Sequence, residues 1–205
     1  RTATAIEPGT SHTCALLDTR QVKCWGYNTE GQLGLGDTAN RGDAVGEMGD
    51  LLPAVNLGTG RTATAIAAGG SHTCALLDTG QVKCWGYNGS GALGLGDTAN
   101  RGDAASEMGD LLPAVNLGTS RTATAIAAGS YHACALLDTG QVKCWGNNAY
   151  GGLGLGDAAN RGDMAGEMGD ALPAVNLGTS TIALAAANYH TCALLDTGQV
   201  KCWGN

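Results

Sequence analysis

The eight cysteines of the chain occur in four pairs, and the members of each pair are ten positions apart. An Asp-Thr-Gly turn, or Asp-Thr-Arg in the first copy, lies between them and predicts a β-hairpin. In that hairpin the two cysteines would face each other with Cα atoms about 4.5 Å apart, a separation at which disulfides form. The sequence therefore predicts four cross-strand disulfides: Cys14–Cys24, Cys74–Cys84, Cys134–Cys144 and Cys192–Cys202.

Two other interpretations of the thiols stay open. They could be reduced residues of the core, or Cys14 and Cys24 could bind zinc together with His12, which would share their face of the hairpin. No C-x-x-C motif and no fourth ligand accompany the zinc interpretation. Because disulfides persist in oxidising compartments, the preferred pairing predicts an extracellular or cell-surface protein.

Acidic side chains are concentrated in three Gly-rich loops. Carboxylate and amide oxygens on such a backbone are ligands that Ca²⁺ prefers, and calcium is the only cofactor that the sequence suggests. The candidate ligands are Asp37, Asn40, Asp43, Glu47, Asp50, Asp97, Asn100, Asp103, Glu107, Asp110, Asp157, Asn160, Asp163, Glu167 and Asp170. Their spacing differs from that of an EF-hand, so solvated loops whose Asp and Asn residues cap turns are the competing interpretation.

No arrangement of residues points to catalysis. An active site needs one constellation of nucleophile, base and oxyanion donors, whereas each candidate here occurs in three or four near-identical copies. The recurring histidines are expected to be hydrogen-bonded structural residues, and the recurring tryptophans to pack between repeat units. These residues are His12, His72, His132, His190, Trp25, Trp85, Trp145 and Trp203. The sequence therefore predicts that the protein is not an enzyme.

These residues belong to a repeat that covers the whole chain as a single array, with units 1–60, 61–120 and 121–180 and a partial unit 181–205. Within the second unit, Gly-rich punctuation separates short apolar runs over 62–68, 71–77, 81–86 and 112–117. No long helical periodicity is present. The pattern predicts an all-β, β-propeller-type repeat array of four-stranded blades. Grouping each Pro-containing strand with the three strands after it gives about 3.75 blades.

Composition excludes further classes of partner. The net charge of −7 comes without a cluster of Lys or Arg, so nucleic acid is not expected to bind. No apolar run approaches the 18 residues of a membrane span. The 34 glycines are expected to serve turns rather than disorder, since 43% of the residues are hydrophobic.

One stretch of the second unit, from Gly69 to Thr98, resembles the repeat of the regulator of chromosome condensation family. The shared features are a Gly before Ser71-His72, the strand Ala75–Leu77, the pair Trp85-Gly86 and the segment Leu93–Gly96. The resemblance implies β-propellers, seven-bladed in that family, that act mainly as protein-binding platforms. The paired cysteines point to a secreted, bacterial-type variant of the family.

Three functions are compatible with the sequence. The first is an extracellular structural or protein-interaction scaffold that self-associates into a ring or fibre. Because 3.75 blades cannot close a seven-bladed ring, the chain is a fragment of a longer array, completes a ring with a second copy, or leaves open blade edges that can pair with another copy. The alternatives are a secreted inhibitor that binds another protein and a calcium-dependent surface adhesin. The units differ mainly in their loops, which is typical of a binding surface on a fixed scaffold.

Overall fold

The computed structural model describes residues 1–205 as twelve short β-strands and two 3₁₀ turns. The strands are β1 (Ala3–Pro8), β2 (His12–Leu17), β3 (Val22–Gly26), β4 (Ala63–Ala68), β5 (His72–Leu77), β6 (Val82–Gly86), β7 (Ala123–Ala128), β8 (His132–Leu137), β9 (Val142–Gly146), β10 (Thr181–Ala186), β11 (His190–Leu195) and β12 (Val200–Gly204). The 3₁₀ turns are Gly109–Leu111 and Gly169–Ala171, and neither is long or apolar enough to cross a membrane. Each run of three consecutive strands forms an antiparallel sheet, which gives four sheets.

The Asp-Thr-Gly turn sets the register of the second and third strands. In the second unit Leu77 donates its N–H to the carbonyl of Gln81 at 2.8 Å, and Gly80 has φ of 77°, a conformation that favours glycine. Counting outward from this turn brings Cys74 opposite Cys84. The turn residues thus set the register that brings the two cysteines opposite each other.

The all-β propeller-type array is confirmed, but the number of strands in each blade differs from the prediction. The Pro-containing segment 112–117 is extended but is not a strand, because it makes only one backbone hydrogen bond to the sheet. In that bond Val115 donates its N–H to the carbonyl of Val82 at 2.8 Å. Pro113 has no N–H to donate. Moreover, the segment lies against the sheet that precedes it. The chain therefore contains four three-stranded blades. The blade that lacks a Pro-containing segment is the last one, not the first.

Neighbouring sheets pack through two different faces. The disulfide face of a blade meets the tryptophan face of the next, and each of the three interfaces has its own apolar core. The disulfide face of the first blade carries Cys14, Leu16, Val22 and Cys24. The tryptophan face of the second blade carries Ile66, Ala75, Leu77 and Trp85. Because each blade contacts only its neighbours, stability is approximately a sum over these interfaces.

Candidate functional site

All four predicted cysteine pairs are disulfide-bonded in the structure, and no cysteine is free. In the first three blades the sulfurs are buried under the following blade. In the fourth blade Cys202 is exposed and Cys192 is half-buried. The disulfides therefore link the two strands of each hairpin, and those of the first three blades also form part of the apolar core between blades.

The tryptophans connect each blade to the unit before it. The indole N–H of Trp85 donates to the carbonyl of Gln32 at 3.0 Å, and Trp145 does the same to Ala92. Trp203 donates to Gly152 at 2.8 Å. Trp25 lies half-buried on the tryptophan face of the first blade, against which no blade of the structure packs.

Two of the four recurring histidines extend this connection through a threonine hydroxyl. The ring Nε2 of His12 lies 2.8 Å from the hydroxyl of Thr73 on the next blade, and that hydroxyl donates to the carbonyl of Gln32 at 2.9 Å. His132 and Thr191 repeat the arrangement at the third interface. Since the hydroxyl donates to the carbonyl, Nε2 carries the proton and donates to the hydroxyl.

His72 lacks this partner because Ala133 occupies the position of the threonine. Both of its ring nitrogens are buried without a hydrogen bond. Burial, together with the nearby His132 and His12 rings, lowers the pKa of His72 to about 3. The second interface therefore contains an unsatisfied polar group, which is costly in a buried environment.

The substitution Ala133→Thr is expected to stabilise the protein. It would supply the hydroxyl that Thr73 and Thr191 supply at the other two interfaces, in a space that those units show can hold it. A net gain of about 1 kcal/mol is expected for the new hydrogen bond. Urea unfolding measures it, and Thr73→Ala is the matched control that should lose a similar amount. A destabilised Ala133→Thr variant would contradict this account of the interface.

The acidic loops use their carboxylates within the chain. Asp97 accepts from the Arg101 guanidinium at 2.6 Å, and Glu107 accepts from the N–H groups of Gly102 and Ala104 at 3.0 Å. The first and third loops repeat these contacts, with Arg41–Asp37 and Arg161–Asp157 pairs of the same length. These contacts give each loop a defined conformation.

In the second and third loops, another acid fastens the loop to the preceding unit. Asp110 accepts from the backbone N–H and the hydroxyl of Thr59, and these hydrogen bonds hold the pKa of its carboxyl below the usual range. Asp170 binds Thr119 in the same way.

The structure groups no three His, Cys, Asp or Glu side chains in a manner that could hold a metal ion. Calcium binding by these loops stays a prediction, and a thermal midpoint unchanged by a chelator would exclude structural calcium.

One cluster was missed by reasoning from the sequence. Four tyrosine rings from three blades lie in succession, with centroids 6.2 Å apart for Tyr87–Tyr131, 6.2 Å for Tyr131–Tyr189 and 4.7 Å for Tyr189–Tyr150. The signal available was the change from Ser11 and Ser71 to tyrosine in the last two units. Long-range placement of the blades was needed to bring the rings together.

Comparison with known proteins identifies the repeat. A model described as "Regulator of chromosome condensation (RCC1) repeat" matches residues 4–32, 63–92, 123–151 and 182–205. A second model of the same description matches residues 21–76 and 79–136.

Curated relatives extend the match over nearly the whole chain. "RCC1 domain-containing protein RUG3, mitochondrial" from Arabidopsis thaliana is 30% identical over 98% of this chain and 42% of its own length. The Arabidopsis "Ultraviolet-B receptor UVR8" is 31% identical over 97% of this chain and 40% of its own. The chain thus spans less than half the length of these relatives.

Solved structures share the fold. Prp20p from Saccharomyces cerevisiae superposes with a TM-score of 0.72 at 22% identity, over 99% of this chain and 45% of the other. Human WBSCR16 superposes with a TM-score of 0.71 at 20% identity, over 99% of this chain and 48% of the other. Since the repeat models and the relatives agree with the blade structure, the chain belongs to the family of proteins built from regulator of chromosome condensation (RCC1) repeats.

Proposed function

We propose that this propeller array is an extracellular scaffold for protein interactions, and that its two open end faces bind blades of other copies. Propellers of the RCC1 type mediate protein–protein interactions, which supports the role of a scaffold. The binding of other copies is supported by the identity of the residues that are exposed on the two open faces. The two open faces carry the same residues that are buried together at every internal interface.

The exposure of equivalent residues makes this point quantitatively. On the tryptophan face, Ile6 of the first blade is 61% exposed, whereas Ile66 of the second is 6% exposed. On the disulfide face, Val200 of the last blade is 64% exposed, whereas Val82 and Val142 are fully buried. A recess of about 260 Å³ beside Trp25 opens on the first of these faces. Each open face is therefore complementary to the other.

Burial of such surfaces stabilises an association. Apolar area removed from water contributes roughly 25 cal/mol per Å², and at each internal interface these residues pack together in an apolar core. Blades of this repeat would cover the open faces whether they belong to the same polypeptide or to another copy. Head-to-tail contact of this kind gives a ring if the rotation closes and a fibre if it does not.

Location and lack of catalysis are part of the same proposal. Four disulfides favour an oxidising compartment, so we place the protein outside the cytoplasm. The histidines, which could do chemistry, recur in every unit, and three of them (His12, His72 and His132) are buried between blades, which supports a binding role without enzymatic activity.

Sedimentation velocity of the 205-residue chain over a hundredfold range of concentration tests the self-association. We expect the sedimentation coefficient of the wild type to rise with concentration, because the two faces bury apolar surface on contact. Ile6→Glu places a charge on the tryptophan face of the first blade and should keep the chain monomeric. Leu111→Glu is the matched control, since Leu111 is 68% exposed in a loop away from both end faces.

A wild type that remains monomeric throughout would overturn the self-association and favour the secreted inhibitor, which stays a prediction. Association that requires added calcium would instead favour the adhesin. Equal association by the wild type and Ile6→Glu would show that other surfaces are responsible.

A further inference from the structure

All five tyrosines of the chain lie at one end of the sheets. They belong to the loops between the first and second strands, or to the loops that follow the third strand. Pairing of His72 with Gly86 places these two sets of loops at the same end. We call this surface the tyrosine face, and it comprises residues 9–11, 27–32, 69–71, 87–92, 129–131, 147–152 and 187–189.

The tyrosine face is uncharged apart from one residue. Glu30 is the only charged side chain in these segments, and its carboxylate accepts from Asn100 at 2.7 Å. Most of the remaining residues are Gly, Tyr, Asn and Ser. This is the composition of antibody paratopes, where rigid tyrosines supply contact area and small polar residues adapt to the ligand. The hairpin turns at the opposite end carry Asp18, Asp78, Asp138 and Asp196.

The rings form a continuous aromatic row that is open to solvent. Tyr131 and Tyr150 are 38% and 53% exposed, so both residues are open to a ligand. The row crosses from the second blade to the fourth and runs beside a recess of about 230 Å³ lined by backbone and small residues such as Gly129 and Ala187. A narrow, extended partner can contact the row along its length.

We propose that the tyrosine face binds a proline-rich segment of another protein in the polyproline II conformation. Such segments dock on aromatic grooves, and their carbonyl groups have no internal hydrogen bonds, so tyrosine hydroxyls can donate to them. The helix has three residues per turn and rises about 3.1 Å per residue, so residues on one side of it recur about every 9.3 Å. The rings of Tyr87, Tyr131 and Tyr189 follow one another at 6.2 Å and give such a side a continuous aromatic surface to pack on. A partner without charge also fits a face whose only charged side chain, Glu30, is engaged with Asn100.

The inference rests on the proposed function only in treating the propeller as a platform for protein binding. The tyrosine face uses different residues from the two end faces. A monomeric chain could bind the peptide, and an associating chain could fail to do so. The two proposals therefore fail independently.

Fluorescence anisotropy of a labelled decaproline peptide, titrated with the 205-residue chain, tests the proposal. We expect saturable binding by the wild type and binding weakened about tenfold or more in the double variant Tyr131→Ser, Tyr189→Ser. Serine stands at both equivalent positions, 11 and 71, so the variant is expected to fold. Met164→Ala is the control, because Met164 is exposed in an acidic loop and alanine occupies that position in the other two loops.

Three results would overturn the proposal: no saturable binding of decaproline, equal binding by the wild type and the double variant, or equal binding of a Gly-Ser peptide of the same length. A titration with cellohexaose covers the alternative of a glycan. Binding of the sugar without binding of decaproline would assign the face to carbohydrate and would also overturn the proposal.

Discussion

Lowering the pH from 7 to 4 is expected to unfold the stack of blades. Three imidazoles, those of His12, His72 and His132, are buried where blades meet. Burial lowers the pKa of His12 and of His132 to about 4, and the pKa of His72 to about 3. Consequently the folded protein keeps neutral rings over a pH range in which the unfolded chain charges them.

The sign of the effect follows from proton uptake. Between pH 6.5 and about 4 the unfolded state binds more protons than the folded state. The free energy of unfolding therefore decreases as the pH falls through this range, and the stabilisation from the neutral buried rings is fully present above pH 6.5. Each ring contributes at most about 1.4 kcal/mol per pH unit, and three rings together roughly 4 kcal/mol per unit. Domains have total stabilities of about 5–15 kcal/mol, so two units of acidification are enough to unfold many of them.

Urea unfolding followed by tryptophan fluorescence at pH 7, 6, 5 and 4.5 measures this slope. The variant His72→Gln removes one titrating ring, and its slope should be about a third smaller than that of the wild type whatever its absolute stability. A wild-type stability that is flat between pH 6.5 and 4.5 would contradict the burial of these rings. An unchanged slope in His72→Gln would exclude His72 as a contributor.

Reduction of the four disulfides is the second change with a large expected effect. Each bridge closes a loop of ten residues, for which the chain-entropy model gives roughly 2–3 kcal/mol, or about 10 kcal/mol for all four. The reduced sulfurs of the first three bridges would also lie within the interfaces between blades, where they form part of the apolar core. We therefore expect the fully reduced chain to be unfolded or nearly so at 25 °C.

The order of reduction distinguishes the blades. Cys202 is exposed, whereas the other three bridges are buried between blades, so mild reductant under native conditions should release the thiols of Cys192 and Cys202 first. Mass spectrometry after alkylation identifies the labelled cysteines, and circular dichroism with and without reductant gives the thermal midpoints. Simultaneous labelling of all eight thiols in the folded protein would contradict the arrangement of faces. An unchanged midpoint after complete reduction would contradict the stabilising role.

Local features of the fold could be predicted from the sequence because neighbouring residues determine them. The turn at Gly80 and the opposed Cys74 and Cys84 depend on fewer than a dozen residues of one hairpin. The Pro-containing segment was assigned to the wrong sheet, since its position depends on a tertiary contact between Val115 and Val82. Its single backbone hydrogen bond to the sheet also leaves it outside the strands.

Contacts between units could not be predicted from the sequence either, because they also depend on tertiary structure. Asp110 was a candidate calcium ligand, but its partner in the structure is Thr59, 51 positions earlier in the chain. The unsatisfied ring of His72 traces to Ala133 on the next blade. Because the units repeat, one known interface shows where the equivalent residues lie at the others. Each sequence difference between copies can then be assigned to a defined position of that interface.

Photo-crosslinking from position 6 tests the central claim most directly, namely that the open faces bind each other as the internal faces do. A photoreactive amino acid replaces Ile6, the purified chain is irradiated at a concentration where it associates, and the adducts are mapped by peptide mass spectrometry. We expect intermolecular adducts on β11 and β12, which carry the disulfide face of the last blade. The same amino acid at position 111 provides the background. Adducts confined to other surfaces, or none above that background, would contradict the claim.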